Sequence, residues 1–447
     1  MNTPHQVQYI INTLNHAGYE AYLVGGCVRD SFLEKEPSDW DITTNADTKT
    51  LQSLFPAHTD VGQEFGTVVA LIDGQEYEIT TFRKESDYTD GRHPSKVEAA
   101  ESIEEDLSRR DFTINAMAYH PQKGLIDPFD GLGDLKAGMI RCVGNPNNRF
   151  AEDALRMLRA IRFAATLGFV IHPTTYNAIK NNAASVYRLS SERVQKEFVK
   201  TLISDNPQYI KMWQETGLSE ILMPEFSQLF QTPQNNPHHI YNVGDHTMMA
   251  LTNSQNIKEV RLAVFFHDFG KTVCKQTDEN GIDHFHGHAV VSENLARQLL
   301  KNLHFDNKTI ETVSRLVGLH ENRFPDTEKS VRKFLSSHGK ELLDLLLYVQ
   351  TADILGQAPL PQKQTELAAI EHKRQIMQQL EKEEGRLTTS SLMVNGNDLK
   401  EAGLEGAEIG AMLRSLLEYV IEDPSRNTKD ALMQFVENKA EESEMEL

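Results

Sequence analysis

The chain is poor in cysteine, in positive charge and in uninterrupted apolar stretches, and each shortage removes a class of protein. Its three cysteines, Cys27, Cys142 and Cys274, are isolated and odd in number. They make neither a disulfide framework nor a zinc knuckle, which fits a reducing cytoplasm. No apolar run approaches the length of about 18 residues that a membrane span needs. The opening "MNTPHQVQYI" has no basic stretch leading into an apolar one, so a secretory leader is not expected either. Lys and Arg number 45 against 65 Asp and Glu, a formal charge of −20. That sum argues against a general nucleic-acid binder. Net charge, however, governs solubility and steering rather than what a local patch can hold, so clustered arginines count for more. Repeats are lacking too.

What remains is an ordinary soluble composition, 39% hydrophobic and 25% charged, over 447 residues. That length implies two to four domains with sizeable cores. "QVQYIINTLNHAG" reads as a short amphipathic helix burying Val7, Ile10, Ile11 and Leu14. "EAYLVGG" reads as a strand, and "GTVVALIDGQEYEITTF" as a hairpin turning at Asp73-Gly74. The first 140 or so residues are thus mixed α and β, whereas helical periodicity takes over from "NRFAEDALRMLRAIRFAATLGF" onward. Breaks at "QTPQNNPHH" and "GQAPLPQKQ" mark candidate boundaries. The acidic end "ENKAEESEMEL" is expected to fray.

"SDWDITTN" carries the first chemical signal, because on a strand Asp39 and Asp41 share a face. Two carboxylates about 5 Å apart repel by about 3 kcal/mol at an effective dielectric near 20. No Lys or Arg adjoins them in sequence. Divalent Mg²⁺ resolves the conflict, since hard cations take oxygen ligands and paired ions suit in-line phosphoryl transfer. Upstream, "YLVGGCVRD" reads as strand, two glycines, then helix. Backbone N–H groups at Gly25 and Gly26, with Arg29, suit a polyphosphate.

"EDALRMLRAIR" suggests how a base could be chosen without a nucleic-acid template. Asp153 and Arg156 are three apart and, on a continuous helix, would be neighbours on one face. A carboxylate only accepts hydrogen bonds and a guanidinium only donates them. Cytosine and adenine both offer an exocyclic amine beside a ring-nitrogen acceptor, while uracil and guanine offer the reverse. Such a pair favours C and A, with about 1–3 kcal/mol lost for each buried group left unsatisfied. Arg159 and Arg162 continue the stripe, with Leu155, Leu158 and Ile161 on the core side.

"LVGGCVRD", "SDWDITT", "DLSRRDFTINAMAY" and "FAEDALRMLRAIRFAATLGF", in that order, resemble the class II tRNA nucleotidyltransferases of the polymerase-β superfamily. That family contains the CCA-adding enzymes and the bacterial poly(A) polymerases. The resemblance covers about the first 225 residues. It implies Mg²⁺ on Asp39 and Asp41, and triphosphate contacts from Gly25, Gly26, Arg29 and Arg110. It further implies ribose contacts from Asp111 with Asn115 close by, and base selection by Asp153 and Arg156. CTP, ATP and the tRNA 3′ end would be the substrates. "TFRKESDYTDGRHPSKVE" is similar to the loop such enzymes use to add the terminal A, which favours full CCA addition or A addition over CC addition, with an A-adding enzyme or poly(A) polymerase as the alternative. "SLMVNGNDLKEAGLEGAEIGAMLRSLLEYVIED" is similar to their C-terminal helical region, although Glu405–Glu408 replaces a stretch where proline is common.

A second constellation, His246, then His267-Asp268, then Asp353, resembles the HD phosphohydrolases, whose helical fold gathers these residues on one divalent metal. Mn, Ni, Fe, Co, Zn or Mg are the candidates. Lys271 would neutralise a phosphate, and His288 and His320 fall where two-metal relatives carry extra ligands. The expected architecture is an α+β nucleotidyltransferase head (1–140) followed by an all-α neck (141–228), an HD domain (229–360) and a helical tail (361–447). A rival of another class is an HD phosphohydrolase with an RNA-binding head.

Overall fold

The computed structural model describes residues 1, 3–59, 66–88, 94–235, 240–359, 361–383 and 388–445. It divides into two compact units, Met1–Ser227 and Gln228–Leu447.

The first unit is built on a mixed sheet. In chain order its strands are β1 (Ala21–Val24), β2 (Ile42–Thr44), β3 (His58–Thr59), β4 (Thr67–Ile72) and β5 (Gln75–Thr81). A separate ribbon, β6 (Arg83–Tyr88) with β7 (Pro94–Ala99), precedes β8 (Ala118–His120) and β9 (Gly124–Ile126). The order across the sheet is β3-β4-β5-β2-β1-β8-β9. β1 pairs antiparallel with β2, Leu23 facing Ile42, and β2 runs parallel to β5, Ile42 facing Ile79. The β4–β5 hairpin turns at Asp73 and Gly74, both at positive φ, the geometry that matches the twist of the flanking strands. Of the sequence "TFRKESDYTDGRHPSKVE", residues 89–93 lie outside the described residues.

Helix His5–His16 buries Val7, Ile10, Ile11 and Leu14. On the sheet's flank Tyr22, Val24, Phe82, Leu107 and Ala118 form a common core. Past the sheet the described residues of the unit are mainly helical, with a short parallel pair, Met139–Ile140 and Val170–Ile171, and helix Leu155–Leu167 packs on helix Ser191–Leu202.

The second unit is helical apart from a small hairpin, Gln276–Thr277 with Asp283–His284. Helices Val243–Thr252, Lys258–Phe266, Asn307–Leu319 and Lys340–Gly356 pack around Phe265, Phe266, Leu316 and Leu346, all buried. Leu399, Leu416, Val420 and Leu432 make a further small core near the C-terminus. Of the acidic end expected to fray, the backbone is helical as far as Met445, and residues 446–447 lie outside the described residues. Among the described residues no helix is long and apolar enough to cross a membrane.

Candidate active sites

In the first unit the twelve residues singled out in the head and neck all line one cavity of about 560 Å³. Gly25 ends the turn between β1 and helix Gly26–Phe32 with φ of 73°. A Cβ there would lie 3.0 Å from Arg110 Nη1 and 3.6 Å from Asp41 Oδ2. Both the left-handed backbone and the close approach therefore call for glycine.

The paired aspartates stand one step outside the strand expected to carry them. β2 starts at Ile42, and Asp39 and Asp41 occupy the segment leading into it. The backbone carbonyl of Asp41 still accepts from Val24 N–H at 3.1 Å, tying it to the end of β1, while the Asp39 carboxylate accepts from Ser38 Oγ at 3.0 Å. The pair is also less isolated than the sequence suggests, because folding brings Arg110 close to Asp41. Burial nevertheless raises the Asp41 carboxyl pKa above its ordinary value, and Asp39 adds to the rise against the pull of Arg110. On the neighbouring β5, Glu78 is raised by burial and then by Asp41 and Asp39. A cluster of oxygen donors with a buried, imperfectly neutralised carboxylate is a donor set that fits Mg²⁺.

Opposite lies an arginine wall. Arg29 grips Asp30 through both Nε (2.8 Å) and Nη2 (2.9 Å), and its Nη1 donates to Asn115 Oδ1 at 2.7 Å. Asn115 in turn donates to Asp111 Oδ1 at 3.1 Å, and Arg159 Nε donates to Asp111 Oδ2 at 2.7 Å. Burial alone would raise Asp111, but Arg159 and Asn115 outweigh it and hold the carboxyl at about 2. Arg110 and Arg109 share the buried Asp106. Phe163, which sequence reasoning passed over, collects three of these cations: Arg162 lies 3.7 Å from its ring centroid, Arg29 5.2 Å and Arg159 5.3 Å.

Asp153 and Arg156 line the cavity but do not share a helical face. The helix breaks at Asp153 (φ −147°, ψ 108°), which closes helix Pro146–Glu152 before helix Leu155–Leu167 begins. Extended backbone at Asp153 removes the three-residue neighbour relation. Arg156 Nη1 instead meets Glu152 Oε2 at 2.5 Å, and Asp153 Oδ2 accepts from Arg193 Nη2 at 2.6 Å. Arg193 lies 40 residues on, in helix Ser191–Leu202, and no spacing rule points to it.

The second unit holds a buried histidine–aspartate cluster. His246 sits within helix Val243–Thr252, His267 and Asp268 just after helix Lys258–Phe266, and Asp353 within helix Lys340–Gly356. His288 opens helix His288–Asn302, and His320 closes helix Asn307–Leu319. His246 Nε2 and His267 Nε2 are 3.2 Å apart, with Asp353 Oδ1 3.2 Å from the former and Asp268 Oδ2 3.2 Å from the latter. His288 Nε2 and His320 Nε2 are likewise 3.2 Å apart, with Asp268 Oδ1 3.2 Å from His288. Asp268 therefore gives one oxygen to each group. Gly270 lets this loop close down, since a Cβ there would lie 2.3 Å from the His288 carbonyl oxygen.

Three of the rings are oriented from behind. Nδ1 of His267, His288 and His320 meets the carbonyls of Val264 (2.7 Å), Phe285 (2.9 Å) and Val317 (2.6 Å). A carbonyl only accepts, so Nδ1 carries a proton in each ring, and Nε2 when deprotonated turns a lone pair toward its neighbour. Lone pairs facing one another among carboxylates make a donor set that fits divalent metal. Burial and then His267 push His320 down to about 3. Burial opposes ionisation of Asp268, yet His267 and Lys271 hold its carboxyl well below the usual range. Lys271 does not stand ready for phosphate, because its Nζ contacts Asp268 Oδ2 at 2.7 Å and Gln234 Oε1 at 2.9 Å.

Comparison with known proteins agrees with this geometry. Residues 21–141 match the family model "Poly A polymerase head domain", and residues 168–230 match "Probable RNA and SrmB- binding site of polymerase A". A model of tRNA nucleotidyltransferase domain 2 matches residues 276–436. These matches are to domains of the nucleotidyltransferase class. A CCA-adding enzyme of Levilactobacillus brevis is 34% identical over 429 residues, 95% of each chain. The chain therefore belongs to the CCA-adding enzyme family. To a CCA-adding enzyme of Lactobacillus delbrueckii it is 48% identical over 216 residues, 48% of this chain and 54% of that one. The chain thus spans about half the length of several curated relatives it matches. The crystal structure of the Bacillus stearothermophilus CCA-adding enzyme with CTP superposes with a TM-score of 0.73 at 28% identity, over 99% of this chain and 100% of that one. The Thermotoga maritima CCA-adding enzyme complexed with tRNA shares the fold, with a TM-score of 0.61 at 20% identity over 98% and 96% of the two chains.

Proposed function

We propose that the first unit adds CMP, CMP and AMP from CTP and ATP to the 3′ end of tRNA, in the cytoplasm and without a nucleic-acid template. The observation carrying this reading is the single cavity that joins the aspartate pair, the Gly25 turn and the arginines of helix Leu155–Leu167. In each cycle the RNA 3′-hydroxyl attacks the nucleotide's α-phosphorus, and the bond to pyrophosphate breaks. Asp39 and Asp41 would hold Mg²⁺, which when bound activates the hydroxyl and stabilises the leaving pyrophosphate. Arg29 and Arg110 face the triphosphate as fixed cations, preorganised by Asp30, Asn115 and Asp106. Asp111 and Asn115 orient the ribose.

Asp153 receives the exocyclic amine of C or A, and Arg156 donates to the ring nitrogen. Arg193 and Leu155 N–H fix the Asp153 carboxylate so that it cannot turn toward U or G. Purified chain with tRNA ending at its discriminator base, supplied with CTP and ATP separately and together, tests this reading. Incorporation of two C and one A is expected. Incorporation of A alone would make the chain an A-adding enzyme or poly(A) polymerase.

The second unit, on this reading, combines an HD domain (229–360) with a helical tRNA-binding tail (361–447), following a head (1–140) and neck (141–228). His246, His267, Asp268 and Asp353 would hold a divalent metal, with His288 and His320 sharing Asp268 toward a second. Such a metal, when bound, lends Lewis acidity to a water nucleophile and a phosphoester. The three imidazoles with Nδ1 tied to carbonyls support this reading. The activity would be an accessory phosphohydrolase acting on damaged 3′-phosphate or cyclic phosphate ends. Metal-stimulated hydrolysis of such ends, lost in Asp268→Ala, is the test, and unchanged hydrolysis in that variant would refute the site.

A further inference from the structure

The histidine–aspartate cluster forms one wall of a cavity of about 550 Å³ whose other walls come from the loop after His320 and from helix Gln362–Glu383. That helix lies outside the segment that supplies the cluster residues, yet it places Lys373 in this cavity at 3% exposure. Burying an ammonium group is costly unless a counter-charge meets it. Among the described residues Lys373 Nζ lies over the Phe324 ring, 4.5 Å from its centroid. The ring is braced on its own account by stacking on Phe334, 5.1 Å away and 19° from parallel.

The acids of this wall are largely spoken for. Asp326 is paired with His372 at 2.9 Å, and Asp353 with Arg323 at 2.7 Å. Glu321 and Glu366 are exposed members of the lining. Burial pushes the Lys373 pKa below its ordinary value, Arg323 adds to that, and Asp326 opposes it. Among the described residues Lys373 is thus buried beside the cluster with an aromatic face, rather than a carboxylate, as its cushion.

We propose that Lys373 is an anion-positioning residue: it receives a phosphate oxygen of the molecule held at the histidine–aspartate cluster, with Arg323 as the adjoining cation. The phosphohydrolase assignment of the cluster is the premise that says what becomes of that phosphate. The substrate class is then a phosphate ester whose anionic group sits between the cluster and helix Gln362–Glu383.

The test uses the full chain loaded with Mn²⁺ and calorimetric titration with inorganic phosphate. Lys373→Met keeps the length and apolar stem of the side chain, and Lys373→Arg keeps the charge. Wild type should bind phosphate, Lys373→Met about tenfold or more weakly, and Lys373→Arg within about threefold of wild type. Lys373→Met should also melt at a higher temperature than wild type, because a buried cation lacking a carboxylate partner has been removed. Equal phosphate affinity in wild type and Lys373→Met, or no binding by wild type, overturns the proposal. Hydrolysis of p-nitrophenyl phosphate in the same preparations separates the two ideas. A raised KM with kcat within about twofold in Lys373→Met supports the anion site. Phosphate binding lost in Lys373→Met while wild type hydrolyses nothing sustains the anion site and sinks the phosphohydrolase assignment.

Discussion

Asp41 shows how one buried carboxylate can set both a requirement and a pH dependence. Its pKa is raised by burial and by Asp39, so protons compete with metal above the usual carboxylate range. Nucleotide addition should therefore rise with pH through that raised value, and the Mg²⁺ concentration for half-maximal rate should increase as pH falls. Asp41→Asn removes the charge without changing the shape. It should lower kcat/KM for CTP on the order of a thousandfold or more, since several kcal/mol of charge stabilisation disappear. A rate within tenfold of wild type would refute the assignment. Gly25→Ala meets both a left-handed backbone and Arg110 at 3.0 Å. A stability loss of about 1–2 kcal/mol with a raised KM for both nucleotides is the expected result, read by denaturant melts and steady-state kinetics.

Asp111 supplies the opposite sign. Its folded pKa of about 2 lies below the unfolded value, so its pairing contributes stability that is complete above the unfolded pKa. That contribution fades as pH falls from about 4 toward 2, by on the order of 2 kcal/mol. Asp111→Asn should flatten the acid limb of the unfolding free energy, and an unchanged slope would show that Arg159 does not hold the carboxylate.

Among the structural elements, the break between helices Pro146–Glu152 and Leu155–Leu167 matters most. It turns Asp153 out of the helical register and hands it to Arg193 on another helix. Arg193→Ala should free the carboxylate to rotate, at a cost of about 1.5–3 kcal/mol for a charged hydrogen bond. The expected outcome is a fall in kcat/KM for CTP and ATP together with a rise in misincorporated U or G. Competition assays with mixed nucleotides measure that ratio, and an unchanged ratio would show that Asp153 is held by its own helix cap alone.

The two units hold separate cavities, and the proposed reading assigns each its own chemistry. Asp268→Ala should abolish phosphoester hydrolysis and leave C and A incorporation within about twofold, whereas Asp41→Asn should do the reverse. Loss of both activities in either variant, with the melting temperature unchanged, would contradict this division.

Motifs of short range were legible in the chain. The helix at His5–His16, the hairpin at Asp73-Gly74 and the strand before Gly25 follow from periodicity and turn chemistry within a few residues. Most ionisable residues of the first cavity and the histidine–aspartate cluster beside the second could be named from the chain because metal and phosphate chemistry restricts which side chains can serve, whereas Arg193, Arg323 and Lys373 could not. Partners were a different matter. Arg193 on Asp153, Arg110 beside Asp41, Arg29 over Phe163 and Lys373 over Phe324 join residues from 40 to 134 positions apart only by packing. Local pattern fixes which faces are apolar and which residues can do chemistry. Which distant cation meets which carboxylate depends on how buried surfaces close against one another, and that information lies in no short stretch of the chain.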